Sequence, residues 1–167
     1  DLALARTDAR VRAGKTVSPS FLFASLLWTL VNKRWQSLCA AGGHPAQALM
    51  EAADSVVQEQ TRKLAIQRRF QADMREIWFM QARFDHVNAK SIWRMLDQPR
   101  FRAAVDFLQL RAEAKEVDSV QAQWWMDLAD ADDSTRAEMS KSFMFFASFD
   151  RRRATSLITW LRGSETV

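Results

Sequence analysis

The chain has 167 residues, with 24 Lys/Arg against 20 Asp/Glu, and 48% of it is apolar, including seven Trp and eleven Phe. That composition suits one ample helical domain, or a domain with a small appendage, and excludes a chain too polar to fold. Four Gly and three Pro are too few for a turn-rich β architecture, and the single cysteine, Cys39, excludes an internal disulfide and suits a reducing compartment. No Cys-x-x-C pair or Cys/His cluster occurs, and His44 and His86 stand far apart, so no metal site is expected. The predicted fold class is all-α, a bundle or array of about seven to nine helices without a sheet.

The chain opens on Asp1 rather than methionine, which predicts a fragment or a processed product. Residues 1–13 read as a helix entered mid-stride, with Leu2, Leu4 and Val11 as its apolar contacts, broken at Gly14-Lys15-Thr16. Ser18 then offers an N-cap and Pro19 the first helical position of a helix reaching about Ala40. That helix is apolar on most sides, which predicts a place at the centre of a bundle. Its apolar run, 21–31, is well short of the ~20 residues that span a bilayer. Arg10, Arg12 and Lys15 upstream imitate a targeting signal, but Ser18-Pro19 before the run and Lys33, Arg34 and Trp35 after it fit a capped, buried helix better. No membrane span and a cytoplasmic location are the expectation.

Gly42-Gly43 ends this helix, and Pro45 starts another to about Gln60, with Ala46, Leu49, Met50, Ala53 and Val57 at helical spacing. In 61–85, Phe70, Met74, Ile77, Trp78 and Phe84 form a stripe interrupted by Gln81. Arg62 and Arg69 are one heptad apart, as are Arg68 and Arg75, and Lys63 and Arg83 extend the cationic flanks. The aromatic stripe is core; the arginines can pack their stems on the helix and offer a planar fork to phosphate.

A loop at His86-Val87-Asn88 precedes a short helix with Ile92, Trp93, Met95 and Leu96. Lys90 and Arg94 lie one turn apart on it, like charges that repel unless an anion sits between them. In 99–113, Pro99 suits the first helical position, and Phe101, Ala104, Val105, Leu108 and Ala112 form one stripe, with Arg102 and Asp106 able to pair behind it. Pro99 would fix the angle between two basic helices and so shape a basic cleft. Arg100 and Arg111 fall on the flank of the apolar arc, where a guanidinium requires a carboxylate, a carbonyl or an external anion. Arg111, deepest in the arc, is expected to pair with a carboxylate.

Further on, Asp118 opens a helix with Val120, Trp124, Trp125 and Leu128, followed by the acidic run Asp127, Asp130, Asp132 and Asp133, read as solvated. Asp133 or Ser134 can cap a last segment rich in Phe, before Arg151-Arg152-Arg153 and a stop at Gly163. Charge is segregated along the chain. Residues 62–111 hold eleven Lys/Arg against five Asp/Glu, whereas 112–139 hold two against eight. A basic field of this kind is the footprint of a polyanion partner, or else the acidic stretch neutralises it within the fold.

SPSFLFASLLW (18–28), LAIQRRF (64–70), IWFMQARF (77–84), LDQPRFRAAVDFLQLRAE (96–113) and Trp124-Trp125 occur in a fixed order that closely resembles the C-terminal half of bacterial poly(A) polymerases. These are class II nucleotidyltransferases related to the tRNA CCA-adding enzymes, and the resemblance covers roughly residues 1–126. Gln67 stands where relatives often carry proline, and the segment after about Glu138 is unlike their Pro- and Arg-rich tail. The resemblance implies an RNA-binding helical body over 1–115, with 116–167 as a C-terminal helical appendage. RNA phosphates are then the expected partners of Arg62, Lys63, Arg68, Arg69, Arg75, Lys90, Arg94, Arg100 and Arg102. It also implies a catalytic head in the same parent chain, with ATP and Mg2+ used there and no cofactor in this chain. The family's Gly-Ser pair followed closely by Asp-x-Asp on a strand does not occur, so no catalytic residue is assigned. The alternatives are the body of a CCA-adding enzyme, or a protein-interaction module docking through 127–133 and 143–149.

Overall fold

The computed structural model describes residues 18–84 and 89–149, and the expected helix at 1–13, the loop at 86–88 and the segment after Phe149 lie outside them. The regular structure described is entirely α-helical: α1 Pro19–Ala40, α2 Pro45–Leu64, α3 Arg68–Gln81, α4 Ala89–Leu96, α5 Phe101–Glu113, α6 Ser119–Asp130 and α7 Asp133–Phe149. The chain divides into two compact units between Ala82 and Arg83.

In the first unit α1, α2 and α3 pack on one another. Ser18 is extended with Pro19 behind it, as expected, although the Ser18 side chain makes no capping bond. The end of α1 closes with Gly42 N–H donating to Cys39 O and Gly43 N–H to Leu38 O, both at 3.0 Å. Gly42 has φ +93, and a Cβ on Gly43 would stand 2.9 Å from Leu38 O, so glycine is required at both positions. Ala48, Ala52 and Ala53 are buried and let α2 approach its neighbours closely. Trp78 fills the centre, its indole N–H donating to Ala24 O at 3.2 Å. Buried Gln81 satisfies itself on Ile77 O, which is how a polar residue interrupts the α3 stripe without penalty.

Three expectations need correction here. The apolar α1 is not buried all round: Leu26 is 48% and Leu30 44% exposed, while Ala24, Leu27, Trp28 and Val31 are buried. The buried side of α2 is rotated toward Ala48, Ala52 and Val56, leaving Ala46 and Met50 exposed. The basic stretch is also broken. Ala65 adopts a left-handed conformation (φ 48, ψ 38), Ile66 drops into the core, and Gln67 is extended before α3 begins. Gln71 secures the turn by donating to Ile66 O at 2.7 Å. Arg62 therefore ends α2, while Arg68 and Arg69 begin α3.

In the second unit α5 packs on α6, and α7 packs on both α4 and α6. Trp125 is the hub: its ring meets Phe84 at 4.9 Å, Trp124 at 5.0 Å and Phe101 at 6.0 Å, all edge-on, and its N–H donates to Phe84 O. Pro99 does not begin α5. It sits in a turn in which Gln98 O accepts from Phe101 N–H, so the helix starts two residues later, after Arg100. Phe101, Ala104, Val105 and Leu108 are buried as expected, with Phe107 and Leu110 widening the face and Ala112 half-buried. Val120, expected to pack, is 36% exposed, because Trp124 and Trp125 take the inner side of α6; Trp93 is 40% exposed, with Ile92 and Met95 on the inner side of α4. Asp118 caps α6 through Val120 N–H at 2.9 Å and Gln121 N–H at 3.3 Å. The cap of α7 is Asp132, one residue before the expected pair, accepting from Thr135 N–H at 2.7 Å. Those backbone contacts hold the Asp132 carboxyl below the usual carboxylate range.

Candidate nucleic-acid interface

The α2–α3 corner concentrates the first unit's cations. Arg62 and Lys63 close α2 and Arg68 and Arg69 open α3, and all four are exposed. Among the described residues Arg62 and Arg68 have no carboxylate partner. The Arg69 guanidinium lies 4.7 Å from the Phe70 ring centroid, a cation–π contact that orients it without neutralising it. Lys63 is shared with Glu59 at 3.3 Å, one turn back. Arg34 also holds Glu59, at 2.7 Å, and together the two cations keep that carboxyl low. Arg75 is committed to Asp54 of α2 at 2.6 Å, and Asp73, on α3 with Arg75, accepts from Ser20.

Arg62 and Arg75 also line an open cleft of about 400 Å³ between α2 and α3, with Val57 as an apolar patch and Gln58, Thr61 and Gln71 around it. The ion pair of Arg75 with Asp54 crosses its wall, so Arg62 is the cation there with charge to spare.

The second unit disposes of its cations differently. Lys90 and Arg94 are exposed on α4 and lack an ion-pair partner among the described residues, as does Arg83. Arg100 is half-buried before α5 and is engaged within the fold. Arg102 pairs with Asp106 at 3.2 Å and reaches Asp130 at the end of α6, and its bond to Asp130 raises the guanidinium's proton affinity. Here the acidic run does neutralise part of the basic segment. Arg111 meets its expectation: it is buried and donates to Glu116 at 3.2 Å. Burial pushes its proton affinity down, and the hydrogen bond to Glu116 opposes that.

Local backbone geometry explains that pair. Lys115 N–H donates to Ala112 O and Glu116 N–H to Arg111 O, with Lys115 at φ 60, a closure that turns Glu116 back over the last turn of α5. Of the acidic run, Asp130 is held by Arg102 and Asp132 by the cap of α7. Arg136 closes the end of α6 by donating to Leu128 O and Ala129 O. No group of three or more His, Cys, Asp or Glu among the described residues is placed to hold a metal ion. No described helix is long and apolar enough to cross a membrane.

Sequence reasoning placed Trp93 on the short helix α4 without giving it a role, and it stands on the surface, with Lys90 and Arg94 near it in sequence. The signal was available: Ile92 and Met95 already fill the inner face of an eight-residue helix, which turns Trp93 outward.

The sequence profile described as "Polymerase A arginine-rich C-terminus" matches residues 41–156, past the last block recognised at Trp124-Trp125. The chain is 36% identical over 129 residues to poly(A) polymerase I of Salmonella typhi, covering 74% of this chain and 27% of that protein. It is 37% identical over 127 residues to that of Escherichia coli O6:H1, with 73% and 27% covered. For Haemophilus influenzae the identity is 35% over 127 residues, with 74% and 28% covered. The chain therefore spans little more than a quarter of the length of the curated relatives it matches. Helices α2 to α7, and with them the basic α2–α3 corner, fall within the matched segment, and the chain belongs to the polymerase A arginine-rich C-terminus family.

Proposed function

We propose that the chain is the RNA-binding helical part of a cytoplasmic bacterial poly(A) polymerase, gripping the RNA 3′ end while a separate N-terminal head of the parent chain adds AMP from ATP with Mg2+. The observation that carries the reading is the α2–α3 corner. Arg62, Arg68 and Arg69 stay exposed and un-neutralised there, in the segment matching a family described by its arginines. Lys90 and Arg94 supply a second cationic pair. Uncommitted guanidinium and ammonium groups can replace the counterions condensed on a polynucleotide and gain the entropy of their release. Such contacts read phosphates rather than bases, which suits an enzyme acting on RNAs of diverse sequence. Lys63, Arg75 and Arg102 would first have to exchange a carboxylate for a phosphate, so they rank behind the others as contacts.

Fluorescence anisotropy with a labelled single-stranded RNA at several salt concentrations tests the proposal. Arg68→Glu/Arg69→Glu should weaken binding on every sequence and reduce the salt slope by roughly 1.4, about 0.7 for each lost single-strand contact. Unchanged affinity in that variant would remove the corner from the interface. Without a nucleotidyltransferase head, the chain should not extend an RNA primer in ATP and Mg2+, and extension would overturn that part.

A protein-docking role has Leu26 and Leu30 in its favour, two exposed leucines one turn apart on α1. The same titration separates the readings, since a docking module would bind RNA poorly at every salt concentration.

A further inference from the structure

Trp93 is the odd one among the described tryptophans. Trp28, Trp78, Trp124 and Trp125 are buried, and the indoles of Trp35, Trp78 and Trp125 donate to backbone carbonyls. Trp93 is 40% exposed, and among the described residues neither its ring nor its N–H has a partner. Packing does not explain it, because Ile92 and Met95 are the residues that seat α4, with 0% and 1% exposure.

Its neighbours are cations. Lys90 lies three residues before it and Arg94 next to it, both exposed and without an ion-pair partner among the described residues. Three and four residues bring side chains onto adjacent parts of a helix surface, so Lys90 borders Trp93 and Arg94 in turn. Along the described sequence of this helix and its end the acid is Asp97, one turn beyond Trp93, and the turn before Trp93 carries Lys90. An aromatic face beside unsatisfied cations is the device by which proteins hold single-stranded nucleic acid: a base stacks on the ring while its phosphates meet the charges, here Lys90 on the adjoining part of the helix and Arg94 one turn beyond Lys90. A lone apolar docking residue would not call for two like charges beside it.

We propose that Trp93 is a base-stacking platform, with Lys90 and Arg94 as its phosphate contacts, for one unpaired nucleotide of the bound RNA. The assignment rests on the RNA-binding reading above and adds to it a contact with a base. Stacking tolerates any base, with purines favoured because their larger rings overlap more of the indole.

The test uses the whole chain and a labelled single-stranded oligoadenylate. Trp93→Ala should weaken binding by about five- to a hundredfold, the range for one lost stacking contact, with the salt slope unchanged. Trp93→Phe should restore most of the loss, and Lys90→Glu/Arg94→Glu should lower the slope instead. On an abasic strand of equal length, Trp93→Ala and the unmodified chain should bind alike. Tryptophan emission should fall when oligoadenylate is added to the unmodified chain, and much less in Trp93→Phe. If the unmodified chain binds oligoadenylate and Trp93→Ala binds it equally well, the platform is overturned while the RNA-binding reading stands. Loss of binding to anionic phospholipid vesicles alone, with RNA binding intact, would overturn it in favour of a membrane contact. No RNA binding by the unmodified chain at any salt would overturn both readings.

Discussion

The corner between α2 and α3 and the end of α5 both place arginines beside an apolar core, and they resolve the charge in opposite ways. At the end of α5 the chain turns back within three residues of the helix, and Glu116 covers Arg111. At the corner Asp73 is held by Ser20, Asp54 by Arg75 and Glu59 by Arg34 and Lys63, and Arg62 and Arg68 remain open to solvent. The difference lies in what the backbone brings into reach, since both segments are rich in arginine. A guanidinium covered by its own chain supports the fold; one left uncovered can serve a partner.

The sharpest way to break this comparison is Glu116→Ala, which takes the Glu116 carboxylate away from the buried Arg111. The expected loss of stability is about 3 kcal/mol, the low end for a broken buried pair because Glu116 keeps some exposure. Urea unfolding measures it, and a loss under about 1 kcal/mol would show that Arg111 is not structural. Asp118→Ala, which removes the cap of α6, should cost about 1 kcal/mol in the same measurement. Asp130→Asn should change stability by less than about 1 kcal/mol, because both partners of that ion pair are more than half exposed. It would also leave Arg102 with Asp106 as its one remaining ion-pair partner among the described residues, so a modest rise in RNA affinity is expected; a fall would mean that Arg102 works best when paired with both. Smallest of all, Arg68→Glu/Arg69→Glu should alter stability by no more than about 0.5 kcal/mol while weakening RNA binding. A large loss of stability there would erase the contrast between the two regions.

The helical class and most helix starts were legible because Pro19, Pro45 and Asp118 begin helices by mechanisms visible in one dimension. Arg111 was legible for a similar reason: its helical phase put a guanidinium beside an apolar arc, and a partner had to exist. What escaped were facts about neighbours. The apolar character of α1 could not show which of its faces the neighbouring helices cover, and Leu26 and Leu30 are exposed. The break at Ala65 carries neither Gly nor Pro, and the only hint was that relatives often place proline where this chain has Gln67. Of the cationic residues, periodicity showed which faces they share, while only the fold showed that Arg75 and Arg102 reach acids 21 and 28 residues away.

Ala65 has a consequence for how this protein can vary. With Ile66 seated in the core and Gln67 extended, three residues fix the phase of everything that follows. Losing or gaining one residue at this joint would rotate the next helix by about 100°. Trp78 would swing out of the interior and Arg68 and Arg69 would face another direction. Descendants of this sequence should thus tolerate many spellings of the joint but only one length.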